Sequence, residues 1–185
     1  MPLTPTQASE AVAALLDASA ELFYGGDRPT VFGEAMVPIV IEVPGTQPNG
    51  NLAPATGGYG IEASQGLLGL DDEVAIKFAL AHEAGHGMSE RILADIGLHG
   101  ISGPATEVIA DLASAYLLTR VGHGWPEVLA SVRAWPQNGI FDEDASGNHP
   151  SGADRVRHVE TLAHAMAQQP PPSFGETALA ICQSL

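Results

Sequence analysis

The stretch His82-Glu83-Ala84-Gly85-His86 lies inside a segment with the sequence features of a long helix. Asp72 stands where an N-cap residue belongs, Glu73 suits the first turn, and no proline follows before residue 95. Two histidines four positions apart on a helix project from one face, one turn apart. Such a pair can bind one Zn²⁺, and a glutamate directly after the first histidine can reach a water molecule on the metal.

In the rest of the chain, apolar residues mostly recur at the spacing of a helix, and runs of β-branched residues are short. Helices are predicted over residues 6–23, 72–95, 105–121, 125–135, 153–168 and 175–185. Strands are predicted over 37–43 and 61–66, with a possible short strand near 51–53, and a polar loop is predicted over 136–152. The pattern indicates an α+β fold that is mostly helical with a small sheet, organised as one domain over residues 1–185.

The composition restricts the partners of the protein. A formal net charge of −15 argues against nucleic acid and anionic membrane surfaces as ligands, because both need cationic patches. The single cysteine, Cys182, allows no intrachain disulfide. Neither a signal peptide nor a run long enough to span a bilayer is visible, so we expect a cytoplasmic protein without a membrane span. The oligomeric state is left open by the sequence.

A catalytic zinc site needs a third protein ligand and one open position. The metzincin pattern would place a glycine and a third histidine at positions 89 and 92, which are Ser89 and Ile92 here. A carboxylate from a downstream helix is the other solution. Glu107 follows His86 by 21 residues, past a glycine-containing turn that lets the chain double back.

Asp111 follows Glu107 by four positions, so the two acids share one face of an otherwise apolar helix. Buried acids need partners, and a zinc ion and a histidine N–H are suitable ones. The alternative is that both acids lie exposed at the helix surface. Gly85 suits a close approach between the two helices, since a glycine inside a helix costs roughly 1 kcal/mol relative to alanine.

Three separated blocks of this chain resemble the HtpX and CAAX-prenyl-protease type of gluzincin metallopeptidase. The first block runs from Asn51-Leu52-Ala53 through Thr56-Gly57-Gly58, Gly66-Leu67-Leu68 and Asp71-Asp72-Glu73-Val74 to the HExxH stretch at 82–86. The second, Glu107-Val108-Ile109-Ala110-Asp111, is similar to the family's ExxAD element, and His149-Pro150 followed by Arg155 is similar to its HPx4R element. The blocks keep the family order and cover about residues 37–163.

The resemblance implies a zincin-like fold and one zinc ion per chain. His82, His86 and Glu107 would be the zinc ligands, and Asp111 would orient a ligand histidine. Glu83 would be the general base in the hydrolysis of a peptide bond. The mixed sheet would line the active-site cleft with an edge strand at Asn51, Leu52 and Ala53, to which a peptide or protein substrate adds by β-pairing.

The same resemblance places His149 and Arg155 near the cleft, where they would stabilise the developing oxyanion. The alternative is that His149 caps a loop and that Arg155 offsets the acidic residues at 142–144. Tyr116 and His158 are further candidates, although we expect Tyr116 on a helix face and His158 at the surface. Two other interpretations of the whole chain stay open: a non-catalytic peptide-binding or regulatory module, and a latent peptidase whose cleft is covered by the N-terminal helix or by residues 168–185.

Overall fold

The computed structural model describes residues 1–100, 103–138 and 149–185. Within these ranges the chain forms seven α-helices and one four-stranded sheet, which confirms the predicted mostly helical α+β fold. The elements are α1 Pro5–Phe23, β1 Thr30–Val31, β2 Glu34–Val43, β3 Gly50–Ala55, β4 Gly58–Ser64, α2 Gln65–Leu68, α3 Glu73–Asp95, α4 Pro104–Arg120, α5 Trp125–Asn138, α6 Gly152–Met166 and α7 Phe174–Cys182. Most of the predicted polar loop at 136–152 lies outside the described residues.

Helix α3 begins where the sequence predicts it. The Asp72 side chain accepts a hydrogen bond from the N–H of Ala75, at 3.0 Å, and so satisfies one of the free donors at the helix start. Helix α4 begins at Pro104, directly after Gly103, whose φ of 77° only glycine adopts readily. In the parts of the chain that the structure describes, no helix is both long and apolar enough to cross a lipid bilayer.

The sheet has the order β1-β2-β4-β3. Strands β2 and β4 are parallel, whereas β1 with β2 and β3 with β4 are antiparallel, so the sheet is mixed and β3 forms one of its edges. The sequence analysis missed β1, the first residues of β2 and the short helix α2. A two-residue strand and a four-residue helix are too short to show a periodic pattern, and the turn at Phe32-Gly33 carries no proline or asparagine.

Helix α3 lies between the sheet and α4. Its two glycines, Gly85 and Gly87, lie where the α3 backbone comes close to α4 and to the sheet. A Cβ at Gly85 would lie 2.9 Å from Cα of Ala110 in α4, closer than real Cβ contacts come. A Cβ at Gly87 would lie 3.1 Å from Cβ of Val31 in the sheet. The predicted close crossing of α3 and α4 at Gly85 is therefore confirmed, and it carries the HExxH stretch against the Glu107 helix.

Candidate metal centre and cleft

Three side chains from two helices converge at one end of the α3–α4 crossing. His82 and His86 project from α3, and Glu107 projects from the first turn of α4. One ligand atom from each of these residues lies within 4.8 Å of the other two. His82 Nε2 is 3.4 Å from Glu107 Oε2, and His86 Nε2 is 3.5 Å from Glu107 Oε1. Two imidazoles and one carboxylate at such separations could hold a single metal ion.

The carboxylate of Glu107 supports this assignment. Glu107 is only 6% exposed, and its Oε2 atom is buried without a hydrogen-bond partner among the described residues. A buried acceptor left unpaired costs about 1–3 kcal/mol, so such an atom calls for an explanation. A metal ion bound between Glu107 and the two histidines would supply the missing partner. Two nitrogen donors and one oxygen donor form a set that zinc and other divalent transition metals accept.

Asp111 and Arg155 lie behind His82. His82 Nδ1 lies 2.9 Å from Asp111 Oδ1, so the opposite ring nitrogen, Nε2, is turned towards Glu107. Arg155 donates from Nε to Asp111 Oδ2 at 2.7 Å and from Nη2 to Oδ1 at 2.6 Å. Both Asp111 and Arg155 are buried. The two hydrogen bonds from Arg155 hold the Asp111 carboxylate in place, and that carboxylate in turn orients the His82 ring.

The electrostatics differ between the two histidines. Burial alone would lower the pKa of His82, but the contact with Asp111 and the neighbouring Glu107 carboxylate outweigh that effect and raise the pKa to about 9. Burial, aided by the neighbouring charge of His82, lowers the pKa of His86 to about 4. The pKa of Glu107 is lowered: burial would raise it, but the adjacent His82 ring and its charge prevail. Near pH 7 the metal-free site therefore holds a Glu107 carboxylate, a neutral His86 ring and a protonated His82 ring, whose Nε2 proton a bound metal would displace.

Glu83 lies on the same helix and borders the same cleft as the two histidines. Burial raises the pKa of its carboxyl to about 7, with the charge of Glu107 acting in the same direction against that of His82. A carboxyl group with a pKa near 7 is suited to accept and return a proton at neutral pH. Glu83 is therefore a carboxyl group beside the candidate metal ligands that can exchange a proton near neutral pH.

The metal-site residues open into a cleft of about 650 Å³. One wall is the beginning of the edge strand β3, where Gly50, Asn51 and Leu52 line the cleft. Ala53, the third residue of the expected edge segment, is buried and is not among the described lining residues. Of the expected edge segment, Asn51 and Leu52 thus border the cleft and Ala53 does not, while Gly50 borders it in addition.

His149 and Arg155 both border the cleft, in different environments. The His149 side chain is 51% exposed, and its Nδ1 lies 3.4 Å from Glu107 Oε2. The Arg155 side chain is 8% exposed and is paired with Asp111. The acidic residues 142–144, the alternative partners of Arg155, lie outside the described part of the chain.

The other two candidate donors lie away from the cleft walls that the structure describes. The hydroxyl of Tyr116 accepts a hydrogen bond from Arg120 Nη2 at 2.6 Å, and its ring stacks on Phe174 of α7. His158 is 5% exposed, so the expectation of a surface histidine is wrong, because this face of α6 packs into the core. Burial lowers the pKa of His158, which favours the neutral ring there.

Sequence reasoning missed two neighbours of the site. A Cβ at Gly50 would lie 3.0 Å from Cγ of Glu83, so the backbone of β3 packs directly on the candidate base. Trp135 of α5 is fully buried beside the cleft, and its Nε1 donates to Ser131, whose hydroxyl in turn donates to the α3 N-cap Asp72. Neither neighbour carries a local signal, because Gly50 lies in a Gly/Pro/Asn-rich segment and Trp135 has the apolar spacing of a core residue.

The N-terminal helix and residues 168–185 are the two segments that would cover the cleft of a latent peptidase. Helix α1 packs on β2 and α3, and α7 packs on α4 and α6. Among the described residues, neither helix contributes to the walls of the cleft.

No protein-family model matches this chain. No curated protein and no solved structure matches it either.

Proposed function

We propose that this protein is a zinc-dependent endopeptidase with a zincin-like fold, which hydrolyses peptide bonds. The observation that carries the proposal is the convergence of His82, His86 and Glu107 beside a cleft that also contains Glu83. A site that serves only to hold a structural metal has no use for a buried carboxyl next to the ligands. The blocks that resemble gluzincins supply the same residues, so sequence motif and geometry support one assignment.

A zinc ion held by His82, His86 and Glu107 would supply a Lewis acid that activates water and polarises the scissile carbonyl. Glu83 would accept the proton of the attacking water and then deliver it to the leaving amine, which a carboxyl of pKa about 7 can do in both directions. Both transfers would take place inside the cleft, where Glu83 is half-buried.

The surrounding residues take positioning roles in this proposal. Asp111 holds His82 with Nε2 available for the metal, and Arg155 holds Asp111. Because the Arg155 guanidinium is buried against Asp111, we assign it to positioning and assign the oxyanion to His149, the more exposed of the two beside Glu107.

The substrate in this proposal is an extended peptide that pairs with the edge strand β3. The cleft wall at Gly50, Asn51 and Leu52 supports it, since an edge strand presents backbone donors and acceptors that another chain can use. The net charge of −15 favours peptide substrates that are neutral or basic and disfavours nucleic acid as a ligand.

The test is a metal analysis paired with Glu83→Gln. We expect about one zinc per chain in the wild-type protein, cleavage of a peptide library, and loss of that cleavage in Glu83→Gln with zinc retained. Because glutamine has nearly the same shape as glutamate but cannot accept a proton, such a result isolates the base. Equal cleavage by Glu83→Gln would contradict the assignment. Zinc binding without cleavage by the wild-type protein would favour the non-catalytic peptide-binding module.

A further inference from the structure

The backbone groups of β3 alternate between the two sides of the strand. The N–H of Ser64 donates to the carbonyl of Asn49 at 2.9 Å, so Asn49 faces β4 just before β3 begins. Within a strand, the N–H and C=O of one residue point to the same side, and those of the next residue point to the other side. Asn51 and Ala53 therefore also face β4. The residues that face the free edge of the sheet are Gly50, Leu52 and Pro54.

Pro54 supports this alternation independently. Proline has no N–H to donate, and in sheets it is confined to edge strands where its nitrogen faces away from the neighbouring strand. Pro54 lies opposite Tyr59 of β4, within an unbroken antiparallel register from Gly50 to Ala55. The proline therefore costs the sheet no hydrogen bond, and its ring stands at the free edge.

The cleft follows only the first part of this edge. Gly50 and Leu52 line it, whereas residues 53–55 are not among the described lining residues. The Gly50 end is the one next to the candidate base, because a Cβ there would lie 3.0 Å from Cγ of Glu83. A peptide paired along β3 from the Glu83 end thus meets two residues with a free N–H and C=O and then Pro54.

We propose that Pro54 ends the substrate-binding edge, so that an extended peptide finds backbone N–H donors of β3 only at Gly50 and Leu52. This inference rests on the proposed function. At Pro54 a carbonyl of the paired peptide finds no donor, and the ring carbons occupy the space where an N–H would point. The Pro54 carbonyl also faces the free edge, but the ring holds a paired chain away from it, so Pro54 limits how much of a substrate the strand recognises.

The experiment compares short and long peptides on zinc-loaded protein. A randomised library of six-residue peptides is given to the wild-type protein, and one cleaved peptide is then lengthened by two residues at either end. Dissociation constants of the short and long peptides are measured with Glu83→Gln and with the same variant carrying Pro54→Ala. Pro44→Ala, the same substitution in the loop after β2, is the matched control.

With Pro54 present, we expect lengthening at either end to leave binding within about twofold. With Pro54→Ala, lengthening at one end should tighten binding about two- to tenfold, as one or two added hydrogen bonds would. N-methylation of the short peptide should weaken binding at two positions that lie two residues apart, without any change to the protein.

The inference would be overturned if lengthening the peptide tightened binding equally with Pro54, with Pro54→Ala and with Pro44→Ala. It would also be overturned if N-methylation weakened binding at consecutive peptide positions. Cleavage of the library combined with either result would contradict the inference alone. A zinc-loaded wild-type protein that cleaves no peptide of the library would contradict the proposed function, and the inference with it.

Discussion

Arg155 of α6 donates two hydrogen bonds, of 2.7 and 2.6 Å, to Asp111 of α4, which also contacts His82 of α3. The pair joins α6 to α4, and the contact of Asp111 with His82 adds α3; Asp111 is completely buried. Removing one partner of a buried pair leaves an uncompensated charge and costs about 3–5 kcal/mol. The contact therefore couples the stability of the fold to the orientation of the first histidine.

Arg155→Met should lower the free energy of unfolding by about 3–5 kcal/mol, because methionine fills much of the space but leaves the Asp111 carboxylate unpaired. Chemical denaturation of the metal-free protein measures the effect. Arg133→Met, at an exposed pair with Glu160, is the matched control and should cost no more than about 1 kcal/mol. A loss for Arg155→Met as small as that of the control would show that Asp111 does not depend on Arg155.

Asp111→Asn should weaken zinc binding about 10- to 100-fold, because the amide is a poorer acceptor for the His82 N–H and no longer fixes the ring. A competition titration with a chromophoric chelator measures the affinity. Asp95→Asn, at the exposed end of α3, is the control and should bind zinc as the wild-type protein does. Unchanged affinity in Asp111→Asn, with the fold intact by circular dichroism, would remove Asp111 from the site.

Asp111 should also make the metal-free fold sensitive to acid. Burial alone would raise the pKa of its carboxyl, but the charge and hydrogen bonds of Arg155, aided by His82, hold the pKa well below the usual 3.8. A group whose pKa is lowered in the folded state stabilises the fold above its unfolded pKa, and this stabilisation is lost as the pH falls through the folded value. Thermal unfolding in the presence of a chelator should therefore show stability falling below about pH 4. Asp111→Asn should flatten that fall, and an equally steep fall in the variant would contradict the prediction.

Glu107→Gln should weaken zinc binding more than Asp111→Asn does, because it removes the charge of a direct ligand rather than of a neighbour. The same chelator competition compares the two variants. Glu90→Gln, on an exposed position of α3, is the matched control and should leave the affinity unchanged. If Glu107→Gln bound zinc as tightly as this control, the prediction would be wrong, and His82 and His86 would be the remaining ligands of the proposed set.

Gly85→Ala should destabilise the protein by about 1–3 kcal/mol, although alanine favours helices more than glycine does. The added methyl would stand 2.9 Å from backbone Cα of Ala110, which cannot move aside without shifting α4. Because the shift would also move Glu107, zinc affinity should fall together with the unfolding midpoint. A Gly85→Ala variant more stable than the wild-type protein would show that the two helices do not cross so closely.

The sequence predicts the parts of this structure that repeat or carry motifs. The helix that bears His82 and His86, the Glu107 helix and the close crossing at Gly85 all follow from spacing and residue type. The two-residue strand β1 and the contact of Gly50 with Glu83 do not, because they depend on which distant segments pack together. The burial of His158 was missed for the same reason, since the face that α6 turns inward depends on where α4 lies.

Anomalous diffraction at the zinc absorption edge, from crystals of the zinc-loaded protein, tests the central claim most directly. We predict one strong peak per chain that is bordered by His82 Nε2, His86 Nε2 and the Glu107 carboxylate. A peak elsewhere, or a Glu107 carboxylate turned away from the two histidines towards solvent, would contradict the account.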